Sequence, residues 1–251
     1  MSNRLAPSLA DVKEQCVDAE RKLNCSIPRN DGGSDKPEYL YEWAEQIYQQ
    51  LQDRQEPHAK LKIAKALGLL DNIAWLGKVE VPLRGNWPRH RVIARFAREK
   101  RWHAIWSLNW DCLLEVGLES VGFDESPTLI QQPWPTTYVT YITAEDAKAS
   151  ADDNMVTVYK PHGCVKALIT AQEEYNKGNH EQAKSLAERF VITKPELEEL
   201  EPKFQNSTGR SLYFRLHSHL ESCPLVSIGW SVSEDYLVDL ASLDSHVSFL
   251  T

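Results

Sequence analysis

From residue 103 onward, short β-branched and apolar runs alternate with helical patterns. That alternation commits the second half of the chain to βαβ units around a parallel sheet, because parallel strands need a crossover element between them. Strands are expected at about residues 104–108, 138–142, 155–160, 190–193 and 224–228. Helices follow several of them. Leu113, Leu114, Gly117, Leu118 and Val121 share one face of a helix over 112–121, and Leu212, Leu216 and Leu220 recur at four-residue spacing. The polar stretch 167–189, broken at Gly178-Asn179, reads as a helical excursion on the surface.

The first hundred residues carry weak strand signals and read as helices near 8–24, 37–53, 57–70 and 88–100. Pro28, Asp31-Gly32-Gly33, Pro37, Pro57 and Pro88 punctuate them. The expected architecture is one α/β domain over residues 1–251, a Rossmann-like, mostly parallel sheet with flanking helices and an inserted helical layer. In it, 1–100 is the mainly helical part and 101–251 holds the sheet. A chain of 251 residues that is 42% hydrophobic can bury the core this requires.

A net charge of -8 gives no electrostatic drive toward nucleic acid, so small molecules or proteins are the expected partners. No run of about 18 apolar residues occurs and Met1 to Leu9 lacks a signal peptide's apolar core, so no membrane association and a cytoplasmic location are expected. Cys16, Cys25, Cys112, Cys164 and Cys223 include no Cys-x-x-Cys pair, which predicts reduced thiols and neither a disulfide framework nor a structural metal. His217 and His219, two apart on a helix, point to different faces and do not share a metal.

Ligands of doubly wound sheets bind beyond the C-terminal ends of the strands. Three strand ends qualify: Asn109-Trp110-Asp111, Pro161-His162-Gly163 and Gly229-Trp230-Ser231-Val232-Ser233. Each residue also has a purely structural reading. Asp111 serves equally as a helix cap, Asn109 as a turn residue, His162 as a hydrogen-bonded loop residue and Ser233 as an N-cap. Trp110 and Trp230 read as packing residues.

The order of these segments resembles the sirtuin-like NAD-binding family, in particular its divergent microbial branch. Ser107-Leu108-Asn109-Trp110-Asp111-Cys112-Leu113-Leu114-Glu115 is similar to the family's Thr-x-Asn-x-Asp stretch and the helix after it. Tyr159-Lys160-Pro161-His162-Gly163 resembles the Lys-Leu-His-Gly segment with the catalytic histidine, and Phe190-Val191-Ile192-Thr193 resembles the short strand that follows. Leu225 to Asp235 resembles the Ile-Gly-Tyr-Ser-x-Ser-Asp ending, and Pro88-Arg89-His90 the helix opening before the first motif.

The resemblance implies NAD+ as a substrate, with Asn109 holding the nicotinamide ribose or a water, Asp111 supporting it and His162 as general base. Ser107, Gly229 and Ser231 would contact the cofactor. Cleaving the nicotinamide–ribose bond creates an oxocarbenium-like centre that a carboxamide oxygen and a carboxylate stabilise, and an imidazole then takes a proton from the attacking water. The branch implies an NAD+ hydrolase of antiphage or stress response, without metal. The alternative is an inactive or incomplete sirtuin-like binding or scaffold protein.

Two departures matter. The family's glycine-rich pyrophosphate turn is missing, and Ala6 to Val12 resembles the segment just after it, so the expectation is either a trimmed member or a site completed by a partner chain or a second copy. Leu108 stands where many members have Gln or Thr, which removes a polar contact. The aromatics Tyr39, Tyr41, Trp43 and Tyr48 suit either an oligomer interface or the core.

Overall fold

The computed structural model describes residues 9–27, 39–70, 88–119, 121, 137–142, 155–200, 212–228 and 247–250. Helices α1 (Leu9–Leu23), α2 (Tyr39–Asp53), α3 (Ala59–Ala66) and α4 (Pro88–Arg98) lead into β1 (Ile105–Trp106) and α5 (Leu113–Glu119). Then come β2 (Thr137–Tyr141), β3 (Met155–Tyr159), α6 (Val165–Asn176), α7 (His180–Glu188), α8 (Lys194–Glu199), α9 (Tyr213–Ser222), β4 (Leu225–Ile228) and β5 (Val247–Leu250). The class is α/β, as expected, with a parallel sheet flanked by helices. β3 lies between β1 and β2, parallel to both, with Ile105 opposite Val158 and Tyr138 opposite Val156. β4 pairs in parallel with β5, a strand not anticipated at 247–250.

The period of two along the strands sends alternate side chains to opposite faces. Tyr138, Val156 and Val158 join Ala94, Ala97, Leu114 and Leu118 of α4 and α5 in one buried cluster. On the other face Tyr141 and Tyr159 pack with Leu212 at the head of α9, and Trp106 stacks on Tyr159 at 4.3 Å. α4 and α5 approach closely at Gly117, where a Cβ would lie 3.0 Å from that of His90.

The helical layer has its own core. Trp43, Ala44, Ile47 and Leu51 of α2 and Leu61, Ile63 and Ala64 of α3 are buried with Val165, Leu168, Ala171, Ala183 and Ala187 of α6 and α7. The excursion at 167–189 is therefore only half a surface feature. Its alanines and Leu168 form a narrow apolar stripe among charged residues, and that stripe seats it on α3. Trp43 is buried, and Tyr41 and Tyr48 pack against the same cluster, so these aromatics serve the core. The side chain of Tyr39 lies outside the described residues.

The strand expected at 190–193 is absent, and its apolar alternation has another use. Phe190 and Ile192 enter the helical core while Val191 enters the cluster under α9. Among the described residues no strand pairs with their backbone. The Val191 N–H instead donates to the His162 carbonyl at 3.1 Å, and the Ile192 and Thr193 N–H groups donate to Glu196 Oε2 at 3.1 and 3.2 Å. Thr193 is the N-cap of α8, with Pro195 early in that helix and Glu196 three residues on, a capping-box sequence that competes with strand formation. Lys60 of α3 completes the anchor, donating to the Phe190 carbonyl at 2.8 Å and pairing with Glu196.

Among the described residues, no helix is long and apolar enough to cross a membrane.

Candidate functional site

β1 and β3 are adjacent and parallel, so the segments leaving their C-terminal ends run side by side. The first, Ser107 to Cys112, leads into α5, and the second, Lys160 to Cys164, into α6. Main-chain bonds tie them: the Ser107 N–H donates to the Tyr159 carbonyl and the Val165 N–H to the Trp110 carbonyl, both at 2.9 Å. Residues 107–112 and 160–164 thus form one unit of structure.

His162 sits at its centre, 2% exposed. Its Nε2 lies 3.0 Å from the Tyr213 hydroxyl, the ring hydrogen-bonds to the Leu108 carbonyl, and Tyr41 meets it edge-on at 6.4 Å. Burial pushes the imidazole down to about 4, against the Leu108 bond, which favours the protonated form. The ring is neutral at physiological pH. Gly163 follows with φ +87°, and a Cβ there would fall 2.6 Å from the Arg189 carbonyl oxygen. Backbone packing demands this glycine, whatever ligand the loop meets.

The remaining residues marked by the sequence divide. Asn109 is exposed at the rim and Ser107 half-buried beside it. Asp111 Oδ1 accepts the Leu113 N–H at 2.9 Å, so this carboxylate caps α5. Trp110 packs between Tyr41 at 5.7 Å and Phe190 at 4.8 Å. Gly229 and Ser231, with Trp230 and Ser233, lie outside the described residues. The side chain of His217 lies outside the described residues, and His219 faces Trp106 and His103. Its ring accepts the Trp106 indole N–H at 3.3 Å and stands 5.1 Å from His103.

Beneath the two loops is a polar cluster that sequence reasoning missed. Lys160, fully buried, donates to Glu115 Oε1 at 2.9 Å, lies 3.5 Å from Cys164 Sγ and bonds to the Asp111 carbonyl. Cys112 Sγ and Cys164 Sγ are 3.5 Å apart. The two cysteines are 52 positions apart in the sequence and meet because the segments after β1 and β3 run side by side. The bond from Cys112, assisted by Lys160 and opposed by burial and Glu115, brings the Cys164 thiol down to about 7. The same bond, with burial, raises Cys112, so the pair holds one proton more tightly than the other. Burial penalises the Lys160 ammonium, but Glu115 and the two sulfurs outweigh that and raise it.

The donor atoms of Cys112, Glu115 and Cys164 lie within 4.8 Å of one another, a set that suits a soft cation. The Lys160 ammonium already stands among them and supplies the positive charge such an ion would bring.

Compared with known proteins, the chain matches no protein-family model and no curated protein.

Proposed function

We propose that the chain is a sirtuin-like hydrolase that cleaves NAD+ and releases nicotinamide at the strand ends beyond β1 and β3. The observation that supports this most is the hydrogen bond between the His162 ring and the Leu108 carbonyl, one residue before Asn109. It joins the two segments that carry the resemblance, at the edge of a parallel sheet where ligands bind.

In this reading Asn109 offers its carboxamide from the rim to the nicotinamide ribose, and Ser107 a hydroxyl beside it. The Asp111 charge lies behind them as an electrostatic support for a developing oxocarbenium centre. His162, neutral at working pH, accepts the proton of the attacking water once that water displaces Tyr213 from Nε2. Gly229 and Ser231 contact the ribose. The residues suit a ribose better than a pyrophosphate, since α5 opens on the Asp111 carboxylate, which repels phosphate. A partner protein or a second copy of the chain would supply that part of the site, in a cytoplasmic antiphage or stress response.

Calorimetric titration of NAD+ into the wild type, followed by a nicotinamide-release assay, tests this with Asn109→Ala and His162→Ala. Release that both substitutions abolish, while Asn109→Ala keeps its circular dichroism and melting temperature, is the expected result. Absence of binding and release, with or without co-purifying partners, would overturn it.

A second reading is a sirtuin-like binding or scaffold protein without turnover. The enclosure of His162, bonded to both Tyr213 and Leu108 in an interior position, favours it. NAD+ binding without nicotinamide release would select it.

A further inference from the structure

The dithiol beneath the loops has the geometry of a bond-forming pair. Cys112 and Cys164 belong to segments already held together by the Val165–Trp110 main-chain bond, and their sulfurs are 3.5 Å apart. A disulfide needs about 2.05 Å between sulfurs, so closure asks the two sulfurs to approach by roughly 1.5 Å. Lys160 Nζ lies 3.5 Å from Cys164 Sγ, so the ammonium favours a thiolate on Cys164, with Cys112 as its partner thiol. Glu115, 7% exposed, balances Lys160 through Oε1, while its Oε2 has no hydrogen-bond partner among the described residues.

We propose that Cys112 and Cys164 are a thiol modification site, a reversible dithiol–disulfide pair whose oxidant is a small hydroperoxide. The Cys164 thiolate attacks one oxygen of hydrogen peroxide, the O–O bond breaks, and hydroxide leaves to become water with the proton released by the thiol. Cys164 is then a sulfenic acid. The Cys112 sulfur attacks it, the S–O bond breaks, and the second hydroxide leaves with the Cys112 proton as water. Two thiols lose two hydrogens and one peroxide becomes two waters. Both cysteines are buried, which disfavours bulky disulfide oxidants and leaves a small hydroperoxide as the oxidant of choice. Cys16, also buried, has burial and Glu20 pushing it up to about 12 and stays a thiol.

The bridge would fix the spacing of the segments carrying Asn109 and His162. Any effect on NAD+ turnover rests on the function proposed above, whereas cross-linking is read by mass alone and stands apart from it.

The test treats the reduced full chain with hydrogen peroxide, alkylates it under denaturing conditions and digests it without reductant. The expected result is a Cys112–Cys164 cross-linked peptide lighter by two hydrogens, reversed by dithiothreitol. In Cys112→Ser the cross-link vanishes and dimedone traps Cys164 as a sulfenic acid. Lys160→Met, where circular dichroism shows it folded, cross-links about tenfold more slowly, as for a thiolate disfavoured by one pKa unit. Recovery of Cys112 and Cys164 as alkylated thiols while Cys25 or Cys223 oxidises would overturn the proposal. So would stoichiometric zinc in the isolated protein that Cys112→Ser loses.

Discussion

The Tyr213 hydroxyl and His162 Nε2 lie 3.0 Å apart, and neither residue is more than 2% exposed. The bond joins α9 to the loop after β3, elements 51 positions apart. Tyr213→Phe keeps the ring and removes the partner. It should destabilise the fold by about 1–3 kcal/mol, the cost of leaving a buried nitrogen unsatisfied, as measured by urea unfolding.

His162 makes stability depend on pH in a defined window. Its folded value of about 4 lies below the ordinary 6.5, so between these values the unfolded chain takes a proton that the folded chain refuses. Stability is fully present above the unfolded value, falls as pH drops toward the folded one, and levels below it, where both states are protonated. The loss is on the order of 3 kcal/mol from the imidazole alone. Unfolding free energies of wild type and His162→Gln, compared across that window, should differ in slope, and parallel curves would refute the assignment.

Lys160 and Glu115 are a buried charge pair, and removing one member strands the other. Lys160→Met should cost roughly 3–5 kcal/mol, and Lys160→Met with Glu115→Gln should recover much of it. Chemical denaturation of the two variants checks the order.

Asp111 distinguishes a cap from a ligand. Because Oδ1 accepts the Leu113 N–H, Asp111→Asn should retain stability within a few tenths of a kcal/mol, whereas Asp111→Ala should lose about 1 kcal/mol. If NAD+ is cleaved here, Asp111→Asn lowers turnover while the melting temperature holds, which separates the two roles.

Gly163→Ala places a methyl against the Arg189 carbonyl in a backbone region that L-residues avoid. A loss of about 2 kcal/mol or more is expected in thermal unfolding. A neutral substitution would mean that the 189–190 segment yields.

The periodic parts of the fold were readable because each is a local pattern. The leucines of α5 and α9 and the β-branched run of β3 lie at spacings that only one kind of element satisfies. Residues 190–193 misled because their alternation is real: three apolar side chains do reach two different cores, yet Lys60 and Glu196 bind the backbone that a strand would have paired. The signal that separates these outcomes is Thr193-Lys194-Pro195-Glu196, a helix opening. Asn109 and His162 were found from strand ends, and the structure brings their loops together. Tyr213, Lys160 and the Cys112–Cys164 contact were not legible, since each depends on partners 45 to 52 positions away with no periodicity to announce them.

Trp110 stands in the same buried cluster as Trp43, Ile47 and Ile63. The loop that presents Asn109 therefore inherits its position from helices far earlier in the chain. A trimmed side chain at Ile63 would be felt at the sheet edge through the indole, so the helical layer's tolerance for sequence drift is set by how much displacement that edge can bear.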